Sequence, residues 1–420
     1  MTDQAATTDA TGPGSHPAVA AAGLDPFDPA FKADPHPRYH QLREVAPVLR
    51  LPEANEAILT RYDDCLAVLR DPRFSSSPEH RIWPEGEHVP DFRVGMSDSG
   101  ARVLLFLDPP DHTRLRKLVS KAFTPRTVEQ LRPHIHELVD GILDEAAERG
   151  ELDVVADLGY TVPVTVICEL MGVPVEDRHL FGPWSSDASR LLDGFGISEE
   201  EVFAAVSGAM NVINYFNDLF EQRRKAPGDD LVSALLAVEE EGDRLTEDEL
   251  RSMVVLLFIA GHETTMNLIG NGMYALLRHP DQLRRWRADP SLTPSAIEEL
   301  LRYDGPVHVT GRIPTEDIEV NGESFRKGEQ LVCLLAAANR DPARFEAPDA
   351  LDIGRPDNLH LTFSQGIHYC LGAALARVEG QVALGSLVSR FDELELLTDP
   401  VAYRDHYVLR GLRELRVAVR

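Results

Sequence analysis

The sequence predicts a mainly α protein with a smaller β part, an α+β chain, and three observations carry that reading. Apolar residues recur at three- and four-residue spacing almost without a break from Pro110 to about Arg278. Within that stretch one apolar helix is long enough to cross a whole molecule. Strand-like alternation is confined to the two ends, in residues 47–62 and from Ile313 onward.

Residues 1–24 are rich in Ala, Thr, Gly and Pro and are expected to form a disordered tail, with one domain over residues 25–420. Pro47–Leu51 and Ala57–Tyr62 alternate as a short hairpin, and Asp63–Leu69 reads as a helix. Ser75–Gly100 has turn residues and no period, and loops of that length inside a compact domain are often functional. Thr124-Pro125 places Pro at a first helical position, and Val128–Ala147 continues the apolar stripe. Thr246 and Glu249 then form a capping box ahead of the apolar run Met253–Ala260, and Pro280 ends the pattern. The resulting helix has roughly 33 residues, about 50 Å at a rise of 1.5 Å per residue. Beyond it, Ile313–Val320 and Glu329–Ala336 read as strands with turns at Gly322 and Gly328, and Glu393–Arg420 as a terminal hairpin. No internal repeat is present.

With 420 residues, 43% of them hydrophobic, the chain can bury a large core. Lys and Arg number 42 against 69 Asp and Glu, a net charge of -27, which argues against general binding to nucleic acid or anionic lipid. The four cysteines, Cys65, Cys168, Cys333 and Cys370, are far apart and form no C-x-x-C pair. That spacing suits neither a disulfide framework nor a structural zinc site, but an isolated Cys in a special setting remains a candidate ligating thiolate. The N-terminus has no signal-peptide pattern, and no run of about 18 apolar residues is present to span a bilayer. A cytoplasmic, monomeric protein without a membrane anchor is expected.

Cys370 has such a setting. Phe363-Ser364-Gln365-Gly366-Ile367-His368-Tyr369-Cys370-Leu371-Gly372 runs into Ala373–Arg377, a strong helix former, so Cys370 sits at a helix N-terminus whose free N–H groups favour a thiolate. Gly366 permits a positive φ, and Gly372 permits a flat ligand to approach the backbone. The pattern F-x-x-G-x-H-x-C-x-G-x-x-L-A is matched over fourteen positions and resembles the cysteine signature of the cytochrome P450 family. One departure is Ser364, where the family commonly has Gly, and it is expected to stiffen the loop.

The resemblance covers about residues 25–420 and is closest to soluble bacterial members of the actinomycete type. It implies a triangular helical body with haem b between the long crossing helix and the Cys-loop helix, and Cys370 as the axial ligand of the iron. It also implies a monooxygenase that places one atom of dioxygen in a hydrophobic small molecule by hydroxylation or epoxidation. Ala260-Gly261-His262-Glu263-Thr264-Thr265 looks like the family's oxygen-activation motif. Thr264 can return its hydroxyl to the Ala260 carbonyl, and with Gly261 in that turn the helix is expected to open locally. By resemblance, Thr264 hydrogen-bonds the oxygen being activated and Glu263 relays protons toward it. His112, Arg116, Arg312 and His368 match the family's partners for the haem propionates, whose unpaired burial would cost several kcal/mol each. Glu299 and Arg302, three apart on one helix face, match the family's structural ion cluster together with Arg355.

Other implications concern partners. Arg114, Arg116, Lys117, Lys121 and Arg126 concentrate positive charge in a very acidic chain and are expected to receive an acidic ferredoxin. No flavin- or nucleotide-binding Gly-rich region is attached, so a ferredoxin and its reductase are expected as separate proteins. By family position Leu256, Ala260, the Val307–Thr310 strand with His308 and Val309, the loop before Leu107 and the Phe181–Phe203 region should line the substrate pocket. Macrolide, steroid or terpenoid, and fatty acid all suit those residues. Two other readings are a non-catalytic haem sensor and a peroxide-driven haem enzyme. The intact Glu263-Thr264 pair speaks against both.

Overall fold

The computed structural model describes residues 23–25, 28–84, 102–120, 123–193, 198–237, 239–240 and 243–420. Most of the expected tail and of the Ser75–Gly100 segment lies outside them. The described chain begins earlier than the expected boundary. Leu24 is buried in a cluster with Tyr39 and Leu42 of α1 (His36–Val45), because an apolar side chain beside that helix gains more from burial than the chain loses in freedom.

The N-terminal hairpin is formed by β1 (Val48–Leu51) and β2 (Glu56–Leu59), followed by α2 (Tyr62–Arg70) and the short β3 (Phe74–Ser75). The helical body contains α3 (Asp111–Ser120), α4 (Arg132–Arg149), α5 (Thr161–Met171), α6 (Arg178–Ser189) and α7 (Glu199–Lys225). The stripe expected over Val128–Ala147 is divided: a separate helix, Pro125–Glu129, starts with Thr124 as its N-cap. Through the body runs α8 (Glu247–Arg278), 32 residues capped by the Thr246–Glu249 box. Its buried residues from Met266 to Leu276 belong to the main core, and those from Leu250 to Phe258 to a second core under α7. Val154–Met171 and Glu247–Arg278 are apolar and long enough in composition to cross a membrane, against the expectation that no segment is. Yet 67% and 72% of these windows are buried within the fold.

After α8 come α9 (Thr293–Asp304), β4 (Val309–Pro314), β5 (Ile318–Val320), β6 (Glu323–Phe325), β7 (Gln330–Leu334) and α10 (Ala373–Arg390). The main sheet has the order β1-β2-β7-β4-β3, with β7 parallel to β2 and the other pairs antiparallel. The expected strand Ile313–Val320 is thus two strands, since the chain leaves the main sheet after Pro314 and β5 pairs with β6 instead. The terminal hairpin of β8 (Leu394–Leu396) and β9 (Arg416–Val419) gains a third strand, Glu151–Asp153, which follows α4. A strand edge would otherwise leave its N–H and C=O groups unpaired.

Candidate functional site

The long helix α8 and the Cys370 loop enclose a cavity of about 490 Å³. Ser364, His368, Cys370 and Gly372 lie on one wall and Ala260, Glu263 and Thr264 on the facing one. Residues 103–106 and Leu191–Leu192 contribute from the helical body, and Val307, Val408 and Leu409 from the β part. The walls are mostly apolar, as a site for a hydrophobic molecule requires.

The shape of the cysteine loop follows from its glycines. Gly366 has φ +71°, and a Cβ there would lie 2.3 Å from the Leu69 carbonyl oxygen, so only glycine fits. The Cys370 N–H donates to the Phe363 carbonyl at 2.9 Å, and Gly372 is the N-cap of α10. Nothing lies within 4 Å of the place where a Gly372 Cβ would be, which leaves the wall open there. Cys370 is exposed to the cavity while enclosed by the protein. Enclosure pushes its thiol pKa up, and the Gly372 N–H and the charges of Arg116 and Arg377 pull it back. Ser364 has φ +59°, the left-handed region that glycine occupies at no cost, and its buried hydroxyl has no hydrogen-bond partner. The departure from the family pattern is therefore a strained residue on the cavity wall.

Two arginines and two histidines gather beside the loop. The rings of His112 and His368 lie 4.3 Å apart; both nitrogens of His112 and Nε2 of His368 are buried without a partner. Arg116 donates to the Tyr369 carbonyl at 2.6 Å, and Arg312 to the Gly311 carbonyl at 2.7 Å and weakly to Thr310 Oγ1. Among the described residues neither guanidinium forms an ion pair. Burial, then the charges of Arg312, His112 and Arg116, pulls the His368 pKa down to about 3, and burial also lowers His112, Arg116 and Arg312. An enclosed set of donors without anions, next to a thiol on an open stretch of wall, fits a haem: a thiolate for the iron, and two guanidinium groups with two imidazole donors for its two propionates.

On the facing wall the Thr264 hydroxyl donates to the Ala260 carbonyl at 3.1 Å, as the spacing implied. The expected local opening is absent: α8 is unbroken from Glu247 to Arg278, and Gly261 packs against Ile167. Glu263 is 2% exposed and forms an ion pair with Arg404 at 2.7 Å. His262 bonds the Phe258 carbonyl through Nδ1 at 2.8 Å and Ser185 of α6 through Nε2 at 2.9 Å. Arg404 and Arg377 were missed in the sequence. Arg404 lies 141 residues from its partner with no local pattern to mark it. Arg377 had a signal, seven residues past Cys370 on α10, where its guanidinium bonds Glu298 at 2.6 and 2.8 Å and Tyr369 Oη at 3.1 Å.

Leu256 and Ala260 lie on the cavity wall, but His308 and Val309 do not. Val307 faces the cavity, whereas the His308 ring lies beside Tyr39 and 3.9 Å from Asp304, and Val309 joins the core under α1. Of the region between Phe181 and Phe203, Phe181 is buried in the core and Phe203 is 75% exposed, while Ala188, Leu191 and Leu192 line the cavity. The basic helix is also less of a patch than its sequence suggests. Arg114 pairs with Glu249 of α8 and Arg116 turns inward, leaving Lys117 and Arg126 exposed; Lys121 is outside the described residues. The cluster of Glu299, Arg302 and Arg355 is assembled as expected: Arg302 binds Glu299 with two bonds of 2.8 Å and Arg355 with one of 3.1 Å.

The Cytochrome P450 family profile matches residues 87–403. Cytochrome P450 107B1 of Saccharopolyspora erythraea is 45% identical over 93% of this chain and 96% of its own length. Vitamin D(3) 25-hydroxylase of Pseudonocardia autotrophica is 44% identical over 94% and 96%. Among solved structures, P450BioI in complex with hexadec-9Z-enoic acid ligated acyl carrier protein superposes with a TM-score of 0.85 at 38% identity, covering 93% of this chain and 99% of that one.

Proposed function

The chain belongs to the cytochrome P450 family and is a haem b monooxygenase, and on that premise we propose how its residues divide the work. Cys370 would hold the iron as a thiolate. His112, Arg116, Arg312 and His368 would hold the propionates, and Gly372 would leave room for the ring beside the backbone. When bound, the haem supplies activation of dioxygen at the iron. Ala260 and Leu256 shape the apolar space on the other side and exclude water from it. Thr264 supplies a hydroxyl that can turn from the Ala260 carbonyl into the cavity, and Glu263, next in sequence, holds the proton that replaces the one Thr264 passes on. Glu299, Arg302 and Arg355 support the loop without touching the chemistry. The domain spans residues 23–420, and the protein acts in the cytoplasm as a monomer.

The observation that carries this reading is the thiol of Cys370 on the cavity wall, flanked by two arginines and two buried histidines that lack anions. The reduced, carbon monoxide-bound absorption spectrum of purified protein tests it. Cys370→Ser should lose the thiolate band while keeping its secondary structure; a retained band would overturn the assignment of Cys370.

The substrate is a hydrophobic small molecule. The mostly apolar cavity suits both a compound such as vitamin D(3), named in the Pseudonocardia autotrophica relative, and a fatty acyl chain, as bound to the carrier in the P450BioI complex. Electrons come from a separate ferredoxin and its reductase. The docking face includes the exposed Lys117 and Arg126 with Ile367 and Tyr369 of the cysteine loop, not Arg114 or Arg116. A saturable shift of iron spin state with one compound class identifies the substrate type.

A further inference from the structure

Two walls of the main cavity are joined by a carboxylate that does not line it. Leu191 and Leu192, in the turn that follows α6, belong to one wall, and Val408 and Leu409 of the C-terminal segment to another. Asp193, next after Leu192, is 3% exposed and is not among the lining residues. Its Oδ1 accepts from the N–H groups of Tyr407 and Val408, each at 3.0 Å. Its Oδ2 accepts from Arg190 at 2.9 Å and lies 3.1 Å from Nδ1 of His406. Arg190 in turn bonds Glu201 in the first turn of α7, at 3.0 Å, and Ala209 and Ile213 of that helix line the cavity. A second, small cavity of about 50 Å³ also borders the C-terminal segment, lined by His406, Tyr407 and Leu409 among others, so Leu409 borders both cavities. A close-packed core fixes side chains by contact, whereas a segment beside two cavities depends more on its hydrogen bonds. Besides those to Asp193, they run to the strand segment on which Val307 lies: the Val408 carbonyl accepts from the His308 N–H at 3.0 Å, and the Arg410 N–H donates to the Pro306 carbonyl at 2.8 Å.

We propose that Asp193 is a positioning residue for the substrate: it clamps the turn after α6 to the C-terminal wall, and so fixes Val408 and Leu409 for apolar ligands large enough to reach them. A small ligand bound beside Ala260 and Cys370 does not depend on the clamp; a long apolar one does, because it is held by walls that the clamp keeps in register. The residue type suits that task. A carboxylate has acceptors only, one oxygen for the two backbone N–H groups and one for Arg190 and the His406 tautomer that donates. An amide in its place would offer one oxygen and one NH2 group, and whichever way it turned, one set of donors would face another donor. Burying such a carboxylate is costly unless it is paired, and the charge of Arg190 supplies the pairing. Val408 and Leu409 touch the ligand; Asp193 acts only through them and through Leu191 and Leu192.

This inference rests on the haem site and apolar substrate space proposed above, and its test separates the two. Absorption titrations of the haem-loaded protein with imidazole read binding at the iron alone. Titrations with dodecylimidazole, the same head with a long apolar tail, add contact with the walls. Asp193→Asn should leave the imidazole dissociation constant unchanged and weaken dodecylimidazole by about tenfold, the scale of one hydrogen bond's net contribution, chiefly through faster release. Arg190→Ala should act in the same direction and less strongly. The double variant should bind dodecylimidazole no more weakly than Asp193→Asn alone, because both changes open one clamp. Hydrogen exchange at the Tyr407 and Val408 amides should be faster in Asp193→Asn than in the wild type. An unchanged dodecylimidazole affinity overturns the inference, and so does an equal weakening of both ligands, which marks a general loosening of the fold. Should Asp193→Asn not fold, Arg190→Ala is judged by the same two results. Every one of these outcomes leaves the thiolate spectrum of the wild type intact, whereas failure of the haem assignment removes that spectrum.

Discussion

Two groups of buried hydrogen-bond donors, each gathered from distant parts of the chain, end in opposite states. Around Glu299 every charge is matched: the carboxylate accepts from Arg302 twice, from Arg355, from the Asp352 N–H and from Asn358, and Arg302 also donates to the carbonyls of Asn339, Pro348 and Ala350. Beside Cys370, by contrast, His112 and His368 have ring nitrogens without partners, and Arg116 and Arg312 meet only neutral oxygens of the protein. A saturated cluster holds the fold together; an unsaturated one in a cavity wall awaits an anion from outside. That difference, more than the residue types, separates scaffold from binding site.

The contrast can be broken by mutation. Glu299→Ala strands two buried guanidinium groups and should cost about 3–5 kcal/mol of unfolding free energy in urea titrations, with or without haem. Arg312→Ala should behave oppositely, because burial of its unpaired charge already lowers its pKa. Stability of the haem-free protein should stay within about 1 kcal/mol, while haem binding weakens by about 2 kcal/mol, roughly 30-fold, from loss of a charge-assisted bond. A haem-free Arg312→Ala as unstable as Glu299→Ala would abolish the distinction. The smallest effect belongs to Ser364. Replacement by Gly removes the left-handed strain at the cost of added freedom in the unfolded chain, and should stabilise by about 0.5 kcal/mol in thermal melts without shifting the haem spectrum.

The sequence was most informative where function depends on spacing within one element. The Thr246–Glu249 box, the bond from Thr264 to Ala260 and the turn at Gly366 are local consequences of residue order, and all three are present. It misled where two faces of one element had to be told apart. Val307 and His308 are neighbours on an extended segment, whose side chains alternate, so only one of them could reach the cavity, and pattern alone did not say which. Arg114 and Arg116 looked like surface charge because the sequence does not display Glu249 or the Tyr369 carbonyl beside them. Arg404 was invisible for a deeper reason: its meaning lies wholly in a contact between the long helix and the C-terminal segment.

The spread of the cavity walls along the chain sets a schedule. Val103 and Leu409, which both line it, are separated by about 300 residues, roughly 15–60 s of ribosomal synthesis at ordinary elongation rates. Until the segment carrying Arg404, Val408 and Leu409 has emerged, α8 and the cysteine loop have an open flank. Capture of the cofactor in a closed cavity thus waits on that segment, and a cell short of haem would accumulate chains whose propionate partners lack their anion.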